Sequence, residues 1–210
     1  MYMYIFIKLP RLSLRLMKEF MMKKISLKPG TLLAPVPPVL VTCGSGDGAN
    51  LFTVAWTGII NSNPPMTYVS VRPQRHSYAL IRESGEFVIN LVTQELAFAA
   101  DFCGVKSGRD MDKFEAMSLT REEAQIVSCP LLSQSPLSLE CKVTEVKHLG
   151  THDMFLAEIV AVNAEEALLD SKGRLRLDKC GLVAYAHGEY YGLGKKLGKF
   201  GFSVQKKKST

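Results

Sequence analysis

Val39 to Cys43 is an unbroken apolar, β-branched run, the pattern of a buried strand. Gly44, Ser45, Gly46, Asp47 and Gly48 follow, a turn in which glycines adopt positive φ at little cost. Asn50 to Thr57 reads as a second strand, so the two form a hairpin. Asn61, Ser62, Asn63, Pro64 and Pro65 break the chain. Met66 to Arg72 alternates and is rich in β formers, a third strand. Ser77 to Ser84 reads as a short helix with Ser77 as N-cap and Gly85 just past its end. Phe87 to Val92 is a fourth strand, and Thr93 caps a helix running through Cys103 to a stop at Gly104. Lys106 to Thr120 is polar, a loop with at most a short helix. Leu137 to Leu149 and Asp153 to Ala164 alternate around Gly150 as two long strands with one buried face. Leu182 to Ala186 is a last strand, and the glycine-rich stretch after it reads as loop. Roughly seven strands with short helices between them predict an antiparallel barrel or sandwich. Regular strand–helix alternation, the mark of a doubly wound parallel sheet, is absent.

Charge alters this picture little. The chain of 210 residues carries a formal net charge of +6, which by itself suggests a nucleic-acid partner. The excess sits at the ends: residues 1–24 hold six Lys or Arg against one Glu, and residues 195–208 hold six Lys. Residues 25–194 keep 14 basic and 19 acidic residues, a net −5. No basic stripe interleaved with aromatics appears, so no nucleic-acid partner is expected. No apolar run approaches the roughly 18 residues of a membrane span, so no membrane role is expected either. Residues 1–24 differ from the rest in composition and read as an extension outside the fold. One domain is expected over 25–205, with a basic tail at 206–210. Five widely spaced cysteines without C-x-x-C fit reduced thiols of a cytoplasmic protein. They read as small buried hydrophobes, with Cys43 and Cys103 the two to watch for redox chemistry.

Candidate chemistry concentrates in Thr53 to Ser77. The common phosphate loops, G-x-G-x-x-G after the first strand and G-x-x-x-x-G-K-[ST], are absent. His148 and His152 flank a turn, and no metal is expected there. Thr53, Ala55 and Thr57 fall on one face of the second strand and Trp56 on the other. Small side chains let a flat ring approach backbone groups that read its polar edge. Ser70, Arg72, Arg75 and Ser77 gather near a helix start, where free N–H groups and guanidinium forks suit a phosphate monoester. Taken singly, Arg72 and Arg75 read as surface charges and Trp56 as core; the joint placement argues for a site.

These residues carry a resemblance. N-L-F-T-V-A-W-T-G, N-S-N-P-P-M, S-V-R-P-Q-R-H-S-Y, G-E-F-V-I-N-L, C-G-V-K-S-G-R-D-M-D-K-F, H-D-M-F-L-A-E and H-G-E-Y-Y-G-L-G resemble the flavin reductase-like, FMN-binding split-barrel family. Within it they are similar to the flavoredoxin-type group, from about Lys28 to Val204. The resemblance implies a mainly β fold: an antiparallel Greek-key split β-barrel with short inserted helices. It also implies a homodimer with FMN near the subunit interface. Thr53, Ala55, Trp56 and Thr57 would line the isoalloxazine, with Asn61 and Ser62 near its pyrimidine or ribityl side. Ser70, Arg72, Arg75 and Ser77 would hold the phosphate. Lys106, Ser107 and Arg109 match a loop near the flavin. His187 matches a histidine on the nicotinamide side; its alternative is a histidine that ends the last strand and bonds backbone. The chemistry would then belong to the flavin, the protein supplying orientation and a dry pocket. Three functions follow: an FMN oxidoreductase fed by NADH or NADPH, an electron carrier reduced by a redox protein partner, and a non-enzymatic ligand-binding module.

Overall fold

The structure, a computed structural model, describes residues 24–205. The expected basic tail, and all of the expected extension but Lys24, lie outside the described residues. Among the described residues the chain divides into two units, 24–32 and 33–205. In the first, Lys24 to Leu32 are exposed and without regular structure; the Leu32 N–H donates to the Gly30 carbonyl at 2.9 Å.

The second unit is built on β1 (Val39–Cys43) and β2 (Asn50–Val54), an antiparallel hairpin in which Val39 faces Val54 and Cys43 faces Asn50. Here the structure departs from the single strand expected over Asn50–Thr57. The chain turns at Ala55 and Trp56, and β3 (Thr57–Ser62) pairs instead with β4 (Pro65–Val71). The expected break at Asn61–Pro65 shrinks to a turn at Asn63 and Pro64. Helix α1 (His76–Ser84) follows, closed by Gly85 at φ 67°. Ser77 is not its N-cap. Arg75 is, with extended backbone angles, and Ser77 lies inside the first turn with its hydroxyl taking the Asn50 side-chain amide at 2.8 Å. A partner 27 residues away outcompetes local capping, which sequence pattern does not show. After β5 (Glu86–Leu91), the Thr93 hydroxyl accepts from the Leu96 N–H, and α2 (Ala97–Val105) runs straight through Gly104. Then come α3 (Lys113–Ala116), the two-residue strands β6 (Arg121–Glu122) and β7 (Leu131–Leu132), and the long hairpin β8 (Leu137–His148) and β9 (Asp153–Ala164). A last hairpin joins β10 (Val183–Ala186) to β11 (Glu189–Gly192). The glycines of the latter predict a loop, yet all four of its residues pair with β10.

Seven strands form one antiparallel sheet in the order β2-β1-β5-β8-β9-β4-β3. Its two edge strands, β2 and β3, are consecutive in sequence and separated only by Ala55 and Trp56. Flat, seven strands would hold their edges about 29 Å apart. The step from Val54 to Thr57 spans at most about 11 Å. The sheet must therefore curl until its edges meet, which makes it a barrel. The Ser70 N–H donates to the Trp56 carbonyl at 2.9 Å across this corner.

Both faces of β1 are buried. Val39, Val41 and Cys43 join Phe52, Val69, Ile81, Phe87, Ile89 and Phe155 in one core, while Leu40 packs with Leu51, Leu96, Ala100, Cys103, Phe114 and Leu132 in another. This explains the unbroken apolar run of β1. Glu140, fully buried on β8, organises the loop before β7. Its carboxylate accepts the backbone N–H groups of Gln125, Ile126 and Val127 at 2.7–3.1 Å and the Asn163 amide at 2.8 Å. Burial pushes this carboxyl up, but those donors together hold it below the usual carboxylate range. Glu140→Ala would orphan three N–H groups, costing about 3 kcal/mol, and should lower the melting temperature by about 6–12 °C. Because its folded-state pKa is depressed, Glu140 stabilises the fold above the unfolded carboxylate range. That contribution fades as pH falls below about 4. Calorimetry across an acid series should show a shallower loss in Glu140→Gln than in wild type; parallel curves would exclude the carboxylate as the cause.

Candidate functional site

The barrel corner opens onto a cleft of about 500 Å³. Thr53, Val54, Ala55 and Trp56 form one wall, Ser70, Val71 and Arg72 the facing wall, and Asp101, Gly104 and Val105 of α2 a third. The hairpin β10–β11 adds Tyr185, Gly188 and Tyr190, and the β8–β9 turn adds His152. A second pocket of about 260 Å³ adjoins it, sharing Phe52 and Arg75 and lined also by Asn50, Ser77, Lys106, Ser107, Gly108, Arg109 and Lys113. The walls come from segments far apart in the sequence because the closed barrel sets both ends of its sheet beside α1 and α2.

The large cleft is aromatic on one side. Trp56, 44% exposed, lies nearly parallel to His152, their ring centroids 6.2 Å apart and their planes 5° apart. Burial and then the Arg72 charge hold the His152 imidazole below its usual range, which keeps it neutral near pH 7. Thr53 spends its hydroxyl on the Ala100 carbonyl, tying β2 to α2. The small pocket is cationic. Arg75 donates to the Gly104 carbonyl at 3.0 Å. Lys113, only 2% exposed, donates to the carbonyls of Cys103 at 3.1 Å and Lys106 at 3.3 Å, joining the end of α2 to the following loop. Burial pushes its ammonium below the usual lysine range; the Cys103 and Cys43 thiols oppose that shift and Arg75 adds to it. No ion pair among the described residues includes Lys113. Gly108 presses on this network: a Cβ there would sit 2.2 Å from the Asn50 Oδ1.

The sequence-derived residues separate cleanly. Thr53, Ala55, Trp56, Ser70, Arg72 and Arg75 line the cleft, and Arg75, Ser77, Lys106, Ser107 and Arg109 line the pocket beside it. Ala55 and Trp56 share the cleft wall instead of opposing one another, because the strand ends at Val54. Thr57 is buried away from both, its hydroxyl donating to the Tyr68 carbonyl at 2.5 Å. Asn61 is exposed at the end of β3 and donates to the Pro64 carbonyl at 2.9 Å; Ser62 is exposed beside it. His187 is exposed at φ 52° in the turn of the last hairpin, next to the cleft-lining Gly188. Sequence reasoning passed over Asn50, Lys113, His152, Tyr185 and Tyr190. The run K-S-G-R-D-M-D-K-F held the signal for Lys113, but nothing local marks a loop lysine as buried.

No group of three or more His, Cys, Asp or Glu is placed to hold a metal among the described residues. His148 is held by Asp153 at 2.9 Å. No helix among them is long and apolar enough to cross a membrane.

The fold and site define a split barrel whose closing corner opens onto an aromatic cleft beside a cationic pocket. Residues 32–194 match the flavin reductase like domain, and the chain belongs to that family. It is 32% identical to flavoredoxin of Desulfovibrio vulgaris (Miyazaki F), covering 87% of this chain and 100% of that one at a TM-score of 0.81. A Shewanella frigidimarina protein with a split barrel domain is 27% identical, with 80% and 86% coverage and a TM-score of 0.71. FMN reductase (NADH) of Yersinia enterocolitica is 23% identical over 141 residues, 67% of this chain and 74% of that protein.

Cys43 and Cys103 are both fully buried. Burial pushes the Cys43 thiol up to about 12 and the Cys103 thiol up to about 11, so neither is poised as a thiolate. All five cysteines are free, and only Cys180 is partly exposed. Ellman's reagent at pH 8 should titrate five thiols in the unfolded chain and at most Cys180 rapidly in the folded one. Rapid labelling of Cys43 or Cys103, located by peptide mapping, would contradict this burial.

Proposed function

We propose that this protein binds FMN non-covalently and works as an oxidoreductase that takes reducing equivalents from NADH or NADPH. One observation carries the reading: an aromatic cleft runs into a cationic pocket containing a buried, unpaired lysine. A buried ammonium without a carboxylate is costly, and a bound anion relieves that cost. Arg75, Lys106, Arg109 and Lys113 line this pocket, and the first N–H groups of α1 have no intrahelical partner. Together they suit a phosphate dianion. The adjoining 500 Å³ falls within the roughly 300–1,000 Å³ usual for small-ligand sites. A flat ring there would lie along the Val54–Trp56 backbone. FMN joins these two chemistries in one molecule, and when bound supplies a centre that accepts a hydride. Arg75, Lys106, Arg109 and Lys113 would hold its phosphate, with Arg72 approaching from the adjoining cleft, Asn50 would orient Ser77 towards it, and Trp56, Tyr185 and Tyr190 would flank its ring. Likeness to flavoredoxin and to FMN reductase (NADH) supports the assignment, and five free thiols fit a reducing cytoplasm.

Flavin released from the purified protein should chromatograph as FMN. Arg75→Ala and Ser77→Ala should each weaken FMN binding about ten- to a hundredfold, as loss of a charge-assisted contact does. Riboflavin, which lacks the phosphate, should be far less affected. Equal losses for both flavins would move these residues off the phosphate, and a protein that stays colourless after reconstitution would leave a ligand-binding module.

A carrier reduced by a partner redox protein is the second reading, favoured by the exposed Trp56 at the cleft rim. Anaerobic mixing decides between them. Bleaching by NADH or NADPH marks the oxidoreductase; bleaching only by a reduced iron–sulfur protein or dithionite marks the carrier. If His187 contacts the nicotinamide, His187→Ala should slow bleaching by about ten- to a hundredfold and keep FMN affinity. An unchanged rate would assign His187 to the turn alone.

A further inference from the structure

The hairpin β10–β11 closes one side of the large cleft with two phenols. Tyr185 and Tyr190 face each other across its strands, their rings meeting edge to face with centroids 5.3 Å apart and planes at 64°. Backbone bonds fix the hairpin in place. The Tyr185 N–H donates to the Val36 carbonyl at 2.8 Å, the Val36 N–H to the Tyr185 carbonyl at 3.0 Å, and the Val183 N–H to the Val92 carbonyl at 3.2 Å. The two rings therefore form a held wall, not a loose rim.

The charges on this side differ from those of the small pocket. Arg72 and Arg75 are the cations that line the cleft, and Arg75 is shared with that pocket. The hairpin brings the two phenols and no lining cation, and the cleft-lining Asp101 of α2 acts on Tyr190. Burial and then the Asp101 charge push the Tyr190 phenol above the usual tyrosine range, so it keeps its proton at neutral pH. His152 is neutral as well, its Nδ1 sharing a hydrogen bond with the Thr151 hydroxyl at 3.0 Å. An anion beside Tyr190 meets the Asp101 charge. A flat, uncharged ring bearing a carbonyl meets aromatic surface and a hydroxyl that holds its proton.

We infer that the Tyr185–Tyr190 side of the cleft seats the compound this protein reduces, an uncharged quinone whose carbonyl oxygen accepts a hydrogen bond from the Tyr190 hydroxyl. The inference rests on the oxidoreductase reading above and names its acceptor. Electrons and protons balance. NADH or NADPH gives up a hydride, an electron pair with one proton. The quinone gains these and one further proton from the Tyr190 hydroxyl, and leaves as a hydroquinone. Water returns that proton to Tyr190, which is only partly buried. The nicotinamide carboxamide offers the same flat ring and carbonyl, so donor and acceptor use this side of the cleft in turn.

Equilibrium dialysis of the full-length protein against duroquinone tests the subsite. The methyl groups of duroquinone block every ring carbon open to thiol addition, so free cysteines do not interfere. Wild type should bind it saturably, and Tyr190→Phe should weaken that binding about tenfold, as loss of one hydrogen bond does, with the far-ultraviolet circular dichroism of wild type. Anthraquinone-2-sulfonate carries a fixed negative charge and should bind wild type more weakly than duroquinone; Asp101→Asn should strengthen its binding about two- to fivefold. Under anaerobic conditions, yellow protein bleached by NADH or dithionite should regain its colour with duroquinone at a rate that saturates. Tyr190→Phe should raise the half-saturating concentration about tenfold. A yellow protein that binds no duroquinone, equal affinities in wild type and Tyr190→Phe, or sulfonate binding indifferent to Asp101→Asn would overturn the inference and leave the flavin reading standing. A protein that stays colourless after FMN reconstitution yet binds duroquinone through Tyr190 would support the quinone subsite and sink the flavin reading.

Discussion

The two-residue link between the edge strands is the constraint on which the rest depends. Ala55 and Trp56 leave β2 and β3 no way to remain opposite edges of an open sheet. Closure follows from chain length alone. The corner is also where regular pairing lapses, so Ala55 and the Trp56 ring line a cleft. The barrel thus makes one wall of its cleft at the place where its own ladder is interrupted.

Closure has an electrostatic consequence. Asn50 starts β2, Arg75 and Ser77 start α1, and Lys106 to Lys113 follow α2; the barrel brings these three segments to one small pocket. Lys113 holds the end of α2 and its loop through two carbonyls, and Gly108 lets that loop approach Asn50. Lys113 and Arg75 are fixed to the wall by bonds to carbonyls, while Lys106 and Arg109 stay exposed at its rim. Two of the pocket's cations are thus held in place before anything enters it.

Asp153 is buried at the start of β9, where it accepts from the Tyr78 hydroxyl at 2.6 Å and pairs with His148 at 2.9 Å. The Tyr78 bond and then the His148 bond hold its carboxyl below the usual range. Both bonds anchor the turn that carries His152 to its place beside Trp56. The cleft therefore has a polar support behind its aromatic wall, just as the small pocket has the Asn50–Ser77 bond behind its cations.

Sequence alone determined the strands whose apolar pattern is local: Val39–Cys43, the long pair around Gly150, and the helix closed by Gly85. It also determined that arginines and serines crowd between Ser70 and Ser77, and the family motifs that joined them to Lys106, Ser107 and Arg109. Only the tertiary structure decided the corner at Ala55–Trp56, because a strand and a tight turn between two strands share the same residue types. Only it decided that Ser77 bonds Asn50 rather than capping its helix, that Lys113 is buried, and that His152 stands by Trp56. Each of these rests on a partner far away in the chain, and a period of two or of 3.6 residues reports which face is buried but not what lies against it.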